Sequence, residues 1–73
     1  MKGKSEFTIK EINEIKELIV KKLASSSSKQ VSVRNKIRKC YQFYWTDYYT
    51  RDVPYNVENF DLLIKNGSIK VID

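Results

Sequence analysis

Arg34, Lys36, Arg38 and Lys39 place four cations within six residues, and the acidic residues flanking them in sequence, Glu17 and Asp47, are distant. They are the densest part of a longer stretch, Leu18 to Thr46, that holds seven basic residues and no acidic one, the others being Lys21, Lys22 and Lys29. Cations gathered without carboxylates create a field that steers and holds a polyanion, because no like-signed group cancels it. Phosphate is the natural partner. On a helix, Arg34 and Arg38 project about 40° apart, with Lys36 and Lys39 toward the other flank, so a domain of this size could make roughly three to five phosphate contacts. Asn35 and Gln42 are seven positions apart and would point the same way on a continuous helix. Their amides could read adenine, and Arg38 could read guanine.

Aromatic residues crowd the end of this stretch. Tyr41, Phe43, Tyr44, Trp45, Tyr48 and Tyr49 are six of the chain's nine aromatics. Exposed rings beside a basic run can stack on unpaired bases. They also anchor protein interfaces, burying rigid area while keeping a polar handle. A small core has few other large side chains to draw on, so Phe43, Tyr44 and Tyr48 are expected inside. Tyr41, Trp45 and Tyr49 are the candidate contact residues.

Catalytic chemistry is poorly supplied. The chain has no histidine, hence no side chain that ordinarily serves as a neutral-pH base. Cys40 is placed on the apolar side of its helix and reads as a core thiol. There is no glycine-rich phosphate loop, and Asp47, Asp52, Glu58 and Asp61 are too scattered for their spacing to define a metal site. Nothing distinguishes one tyrosine as a nucleophile. The expectation is a protein without enzymatic activity, cofactor or metal.

The elements that must position these residues begin with a well-marked helix. Thr8 and Glu11 form a T-x-x-E capping box, Phe7 and Ile12 are spaced as a hydrophobic staple, and Ile12, Ile15, Ile19 and Leu23 recur at helical spacing. The helix should run from Ile9 to Ala24. Ser25 to Ser28 read as a connector of about four to seven residues. A second helix is expected from near Ser32, with Val33, Ile37, Cys40, Tyr41 and Tyr44 on its apolar side. Beyond Phe43 the pattern fits either more helix, to Tyr48, or an extended chain. Asp52 to Asn56 form a turn around Pro54, Asn56 caps a third helix with Val57, Phe60, Leu63 and Ile64 inward, and Gly67 ends it. The final SIKVID reads as a strand whose partner is either Glu6–Ile9 or the aromatic segment.

This order predicts one mainly α domain over residues 1–73, three helices with a minimal two-stranded β element, loosely helix-turn-helix-like. The SSSSKQV connector is longer than the usual turn of that motif. A winged alternative would use Val57 to Lys65 for recognition, but Glu58 and Asp61 would then face phosphate, so the second helix is the preferred contact. The charge of +5 divides unevenly, +7 over residues 1–46 and −2 over residues 47–73. No apolar run approaches the roughly 20 residues of a membrane span, the N-terminus lacks the apolar stretch of a secretory signal, and a lone cysteine cannot make an internal disulfide. A cytoplasmic setting and no membrane partner follow as expectations. The functional expectation is a small DNA-binding accessory or regulatory protein acting on duplex DNA, with single-stranded nucleic acid or RNA as variants. The competing expectation is a protein-interaction adaptor or homodimer built on residues 41–49.

Overall fold

A computed structural model describes residues 3–50 and 52–72. The expected strand's last residue, Asp73, therefore lies outside the described residues. The chain forms β1 (Glu6–Phe7), α1 (Ile9–Leu23), α2 (Ser27–Tyr41), one 3-10 turn (Trp45–Asp47), α3 (Val57–Lys65) and β2 (Lys70–Val71). It is mainly α, with a minimal β element.

The start of α1 follows from local chemistry. The Thr8 hydroxyl accepts from the Glu11 backbone N–H at 3.1 Å, and the Glu11 carboxylate accepts from the Thr8 N–H at 3.0 Å. Those bonds, with Lys4 3.3 Å away, hold the Glu11 carboxyl below its ordinary pKa despite an opposing desolvation effect. Lys21 and Lys22 occupy the last turn, where positive charge suits the helix dipole. Ile12, Ile15 and Ile19 are buried from this helix, while Leu23 is exposed.

The connector is shorter than the serine run suggests. Ser26 is the N-cap residue of α2, Ser27 and Ser28 fall in its first turn, and Gln30 Nε2 reaches back to the Ser25 carbonyl at 3.0 Å. Serine hydroxyls compete with the backbone in helix interiors but are tolerated at the first turn, where the backbone donors have no intrahelical partner. α2 consequently starts at Ser27, not near Ser32, and folds back along α1. Tyr41 at its end lies beside Glu14, and Arg34 near its middle lies beside Lys22.

Gln42 ends α2 in the left-handed region, φ 55° and ψ 35°, its N–H bonded to the Arg38 carbonyl. The chain then runs extended into the 3-10 turn, so Tyr44 is not part of α2. Cys40 is exposed. The apolar phase of α2 is set by Ile37, with Val33 and Tyr41 packed at its sides, and Cys40 falls about 60° beyond Ile37 toward solvent.

Phe43 is the hub of the core. Phe7 at 6.2 Å, Phe60 at 5.2 Å and Trp45 at 6.2 Å meet it edge-on, and Tyr48 stacks on it at 5.8 Å. Edge-to-face pairs set the positive rim of one ring against the negative face of another, adding to the area they bury. Asn56 caps α3 by accepting from Asn59 N–H at 2.8 Å, and Phe60 and Leu63 are buried from it, with Val57 and Ile64 packed at the margin. Lys16 and Asp61, 2.7 Å apart, join α1 to α3. After Asn66, Gly67 takes φ 85°, a conformation strained for other residues.

β1 and β2 pair in parallel, Glu6 opposite Lys70 and Phe7 opposite Val71. Of the two expected partners, the N-terminal segment is therefore the one used. The chain ahead of β1 is strapped to the aromatic turn: Gly3 N–H donates to Asp47 Oδ2 at 2.8 Å, Lys4 N–H to the Gln42 carbonyl at 2.8 Å, and the Tyr48 hydroxyl to the Lys4 carbonyl at 3.2 Å. Among the described residues, no helix is long and apolar enough to cross a membrane.

Candidate nucleic-acid interface

The basic residues of α2 divide into two groups. Arg34 and Arg38, four apart, flank the buried stripe and are half-buried, whereas Lys36 and Lys39 project roughly 100–160° away from them and are exposed. Asn35 is exposed on α2. Gln42 is exposed too, but its left-handed backbone takes it off the helix, so Asn35 and Gln42 do not form the amide pair expected from their spacing. Arg34 to Lys39 is thus two surfaces and not one.

The arginines line a groove of about 670 Å³ between α2 and residues 45–50 and 52–55, whose other walls include Trp45, Thr46, Asp52, Val53 and Tyr55. This volume is ordinary for a small-molecule site. The segment across from α2 is held firmly. Trp45 stacks on Tyr55 at 4.2 Å with 16° between the rings and touches Tyr49 at 4.8 Å. The Tyr49 hydroxyl donates to the Asn59 carbonyl at 2.8 Å, and Asn59 Nδ2 donates to the Pro54 carbonyl at 2.8 Å, tying this wall to α3.

Three donors at this groove lack acceptors. Arg34 Nε, Arg38 Nε and the Trp45 indole Nε1 are buried nitrogens without a hydrogen-bond partner among the described residues. Native structures rarely leave such groups unsatisfied, since desolvating a donor without replacing its bond to water costs about 1–3 kcal/mol. All three belong to residues that line the one groove, although the nitrogens themselves are turned away from solvent. Neither arginine has a carboxylate within ion-pair distance among the described residues, the ion pairs there being Lys4–Glu11 and Lys16–Asp61.

The surroundings add positive charge. Lys22 Nζ lies over the Tyr55 ring, 4.6 Å from its centre, and the Arg38 guanidinium lies 5.5 Å from the centre of Tyr44. Desolvation lowers the Lys22 pKa, and repulsion from Arg34 lowers it further. Burial pushes the Tyr55 hydroxyl up to about 12 against the opposing pull of Arg38 and Arg34, so Tyr55 stays neutral. Tyr55 is enclosed by Trp45 on one side and shares its ring with Lys22, leaving little of it for a base to stack on.

The aromatic segment is mostly spent inside the molecule. Phe43 is fully buried, as expected, while Tyr44 and Tyr48 are half-buried. Trp45, expected to be a contact residue, is only 6% exposed because it seals the core under Tyr55, and it offers a partner almost no surface. Tyr41 and Tyr49 are half-buried. Among the described residues, no group of three or more histidine, cysteine or acidic side chains is placed to hold a metal.

Tyr55, which lines the groove, and Lys22, which lies over its ring, were not marked by the sequence as belonging together. Lys22 reads as a helix-dipole cation and Tyr55 as half of a staple for α3. Their association depends on contacts across 33 positions, for which short-range spacing carries no signal. Comparisons with protein-family models, with curated proteins and with solved structures found no match for this chain.

Proposed function

We propose that this protein is a small, non-enzymatic nucleic-acid-binding protein of accessory or regulatory type, acting first on DNA, with the α2 arginines as its principal phosphate contacts. The observation that carries this reading is the pair of half-buried guanidiniums, Arg34 and Arg38, lining a single groove with unsatisfied Nε donors and no carboxylate partner among the described residues. A bound phosphate would offset both deficits at once, because charge-assisted bonds from arginine to phosphate are among the strong hydrogen bonds of proteins. Lys36 and Lys39 on the outer face, with Lys22 near the groove, extend the positive field and favour rapid encounter. Contacts of this kind position a nucleic acid without reading its sequence. The internal use of Phe43, Trp45 and Tyr55 favours recognition through phosphates over recognition by base stacking.

The test is a fluorescence-anisotropy titration against duplex DNA, single-stranded DNA and RNA at 50 and 200 mM salt. Binding that weakens with salt, and that is lost in an R34Q/R38Q variant of unchanged circular dichroism, supports the proposal. Absence of binding to all three at the lower salt refutes it.

A further inference from the structure

Arg34 and Arg38 are recessed. Both are half-buried and their Nε atoms have no contact with solvent, whereas Lys36 and Lys39 stand exposed on the other side of α2. An internal phosphodiester of a duplex is flanked by sugars on both sides of a broad rod, so it can meet the arginines only at the mouth of the groove of about 670 Å³. A phosphate at the end of a chain enters without a second sugar behind it. It also brings more charge: a phosphomonoester carries about −1.5 to −2 at neutral pH, where a diester carries about −1. Two guanidiniums without carboxylate partners among the described residues, beside a lysine already destabilised by one of them, match the larger charge better.

We propose that the groove lined by α2 and by residues 45–50 and 52–55 is a seat for a phosphomonoester, the terminal phosphate of a nucleic-acid strand or of a free nucleotide, held by Arg34 and Arg38. Small rotations of the two side chains turn their Nε donors toward the bound phosphate, and the Trp45 indole N–H closes the same wall. Val53 and Pro54 supply an apolar surface for the attached sugar, and the Thr46 and Thr50 side chains line the groove beside it. Asp52 lines the groove as well, and its carboxylate favours an anion seated against the arginines of α2 over one placed on its own wall. This inference rests on the nucleic-acid reading above and adds to it the chemical group recognised.

The experiment compares one fluorescent oligonucleotide in two forms, with a 5′-phosphate and with a 5′-hydroxyl, single-stranded and as a blunt duplex, from pH 7.5 to pH 5.0. The expected preference for the phosphorylated end is about tenfold at pH 7.5. It should shrink toward pH 5, because the second ionisation of a phosphomonoester lies near pH 6 while the chain has no histidine to titrate there. R34Q and R38Q should each remove the preference, and K10Q, an exposed change on α1, should keep it. Adenosine monophosphate as competitor separates the two sources: full displacement at micromolar concentration assigns the seat to a free nucleotide, and displacement only by phosphorylated strands assigns it to a strand end. Equal, salt-sensitive binding of both oligonucleotide forms overturns this inference and leaves the nucleic-acid reading standing. No binding of either form, or capture of a phosphoserine peptide alone, overturns both.

Discussion

Replacing Arg34 by methionine should make the protein more stable and less able to bind a polyanion. Methionine keeps an unbranched apolar stem of similar reach, so the packing of Arg34 against the groove wall is largely retained. What disappears is a charge that repels Lys22 and a buried Nε without an acceptor. An unsatisfied buried donor costs about 1–3 kcal/mol, and since a small rotation of the half-buried Arg34 side chain can bring its Nε to water the lower end applies, giving a gain of about 1 kcal/mol. In a domain of this size that corresponds to a rise of roughly 4–8 °C in Tm. Arg38→Met should gain less, because it also gives up the cation–π contact with Tyr44, worth about 0.5–1 kcal/mol. The assay is urea and thermal unfolding followed by circular dichroism in a buffer free of phosphate and sulfate, either of which would occupy the groove. Adding phosphate should stabilise the wild type and leave Arg34→Met unchanged. If Arg34→Met destabilises by 1 kcal/mol or more, the arginine is a structural residue and the reasoning that reads it as held for a ligand is wrong.

Three further outcomes follow from the core, the strap and the buried phenol. Phe43→Ala removes the ring on which four others converge, at about 3–5 kcal/mol, and since a chain of this length has a stability of only roughly 4–11 kcal/mol, the urea midpoint should fall by at least about a quarter. Gly3→Ala would drive its Cβ into the Gln42 carbonyl oxygen, so the strap must lift; the expected loss is about 1–2 kcal/mol, with faster amide exchange at Lys4. Because the Tyr55 pKa is raised to about 12, the folded state holds a proton that the unfolded chain releases near pH 10, so stability is intact below pH 10 and declines as pH rises toward 12. Tyr55→Phe should remove about 2 kcal/mol of that decline, read as a difference in urea midpoints between pH 9 and pH 11.5.

The parts of this fold written in neighbouring residues were legible. The capping box at Thr8–Glu11, the Asn56 cap and the inward set of α3 each depend on groups three or four positions apart, and each forms as expected. The errors arose where a residue type serves two purposes. Serine marks both a connector and the first turn of a helix, so α2 begins five residues before the expected position. The αL conformation of Gln42 left no trace in the surrounding residues, and it decides that Tyr44 leaves the helix and that the Asn35–Gln42 pair does not form. Cys40 lies close enough in angle to Ile37 to pass for a core residue, yet the aromatic residues beyond Gln42 fill the core from another direction. The arginines were visible as charge, while their enclosure was not. It requires Trp45 and Tyr55, ten residues apart, to stack and form the opposite wall.

The central claim, that the groove donors are held for a phosphate, is tested most directly by following their own N–H resonances. Trp45 is the only tryptophan, so its indole signal is unambiguous, and the Arg34 and Arg38 Nε–H signals are assigned by their loss in R34Q and R38Q. Titration with DNA should move the two arginine signals downfield as hydrogen bonds form and perturb the adjacent Trp45 indole signal, with saturation at one common concentration. If they stay fixed while the amides around Lys36 and Lys39 shift, the nucleic acid is held by the outer face of α2 and the groove account is contradicted.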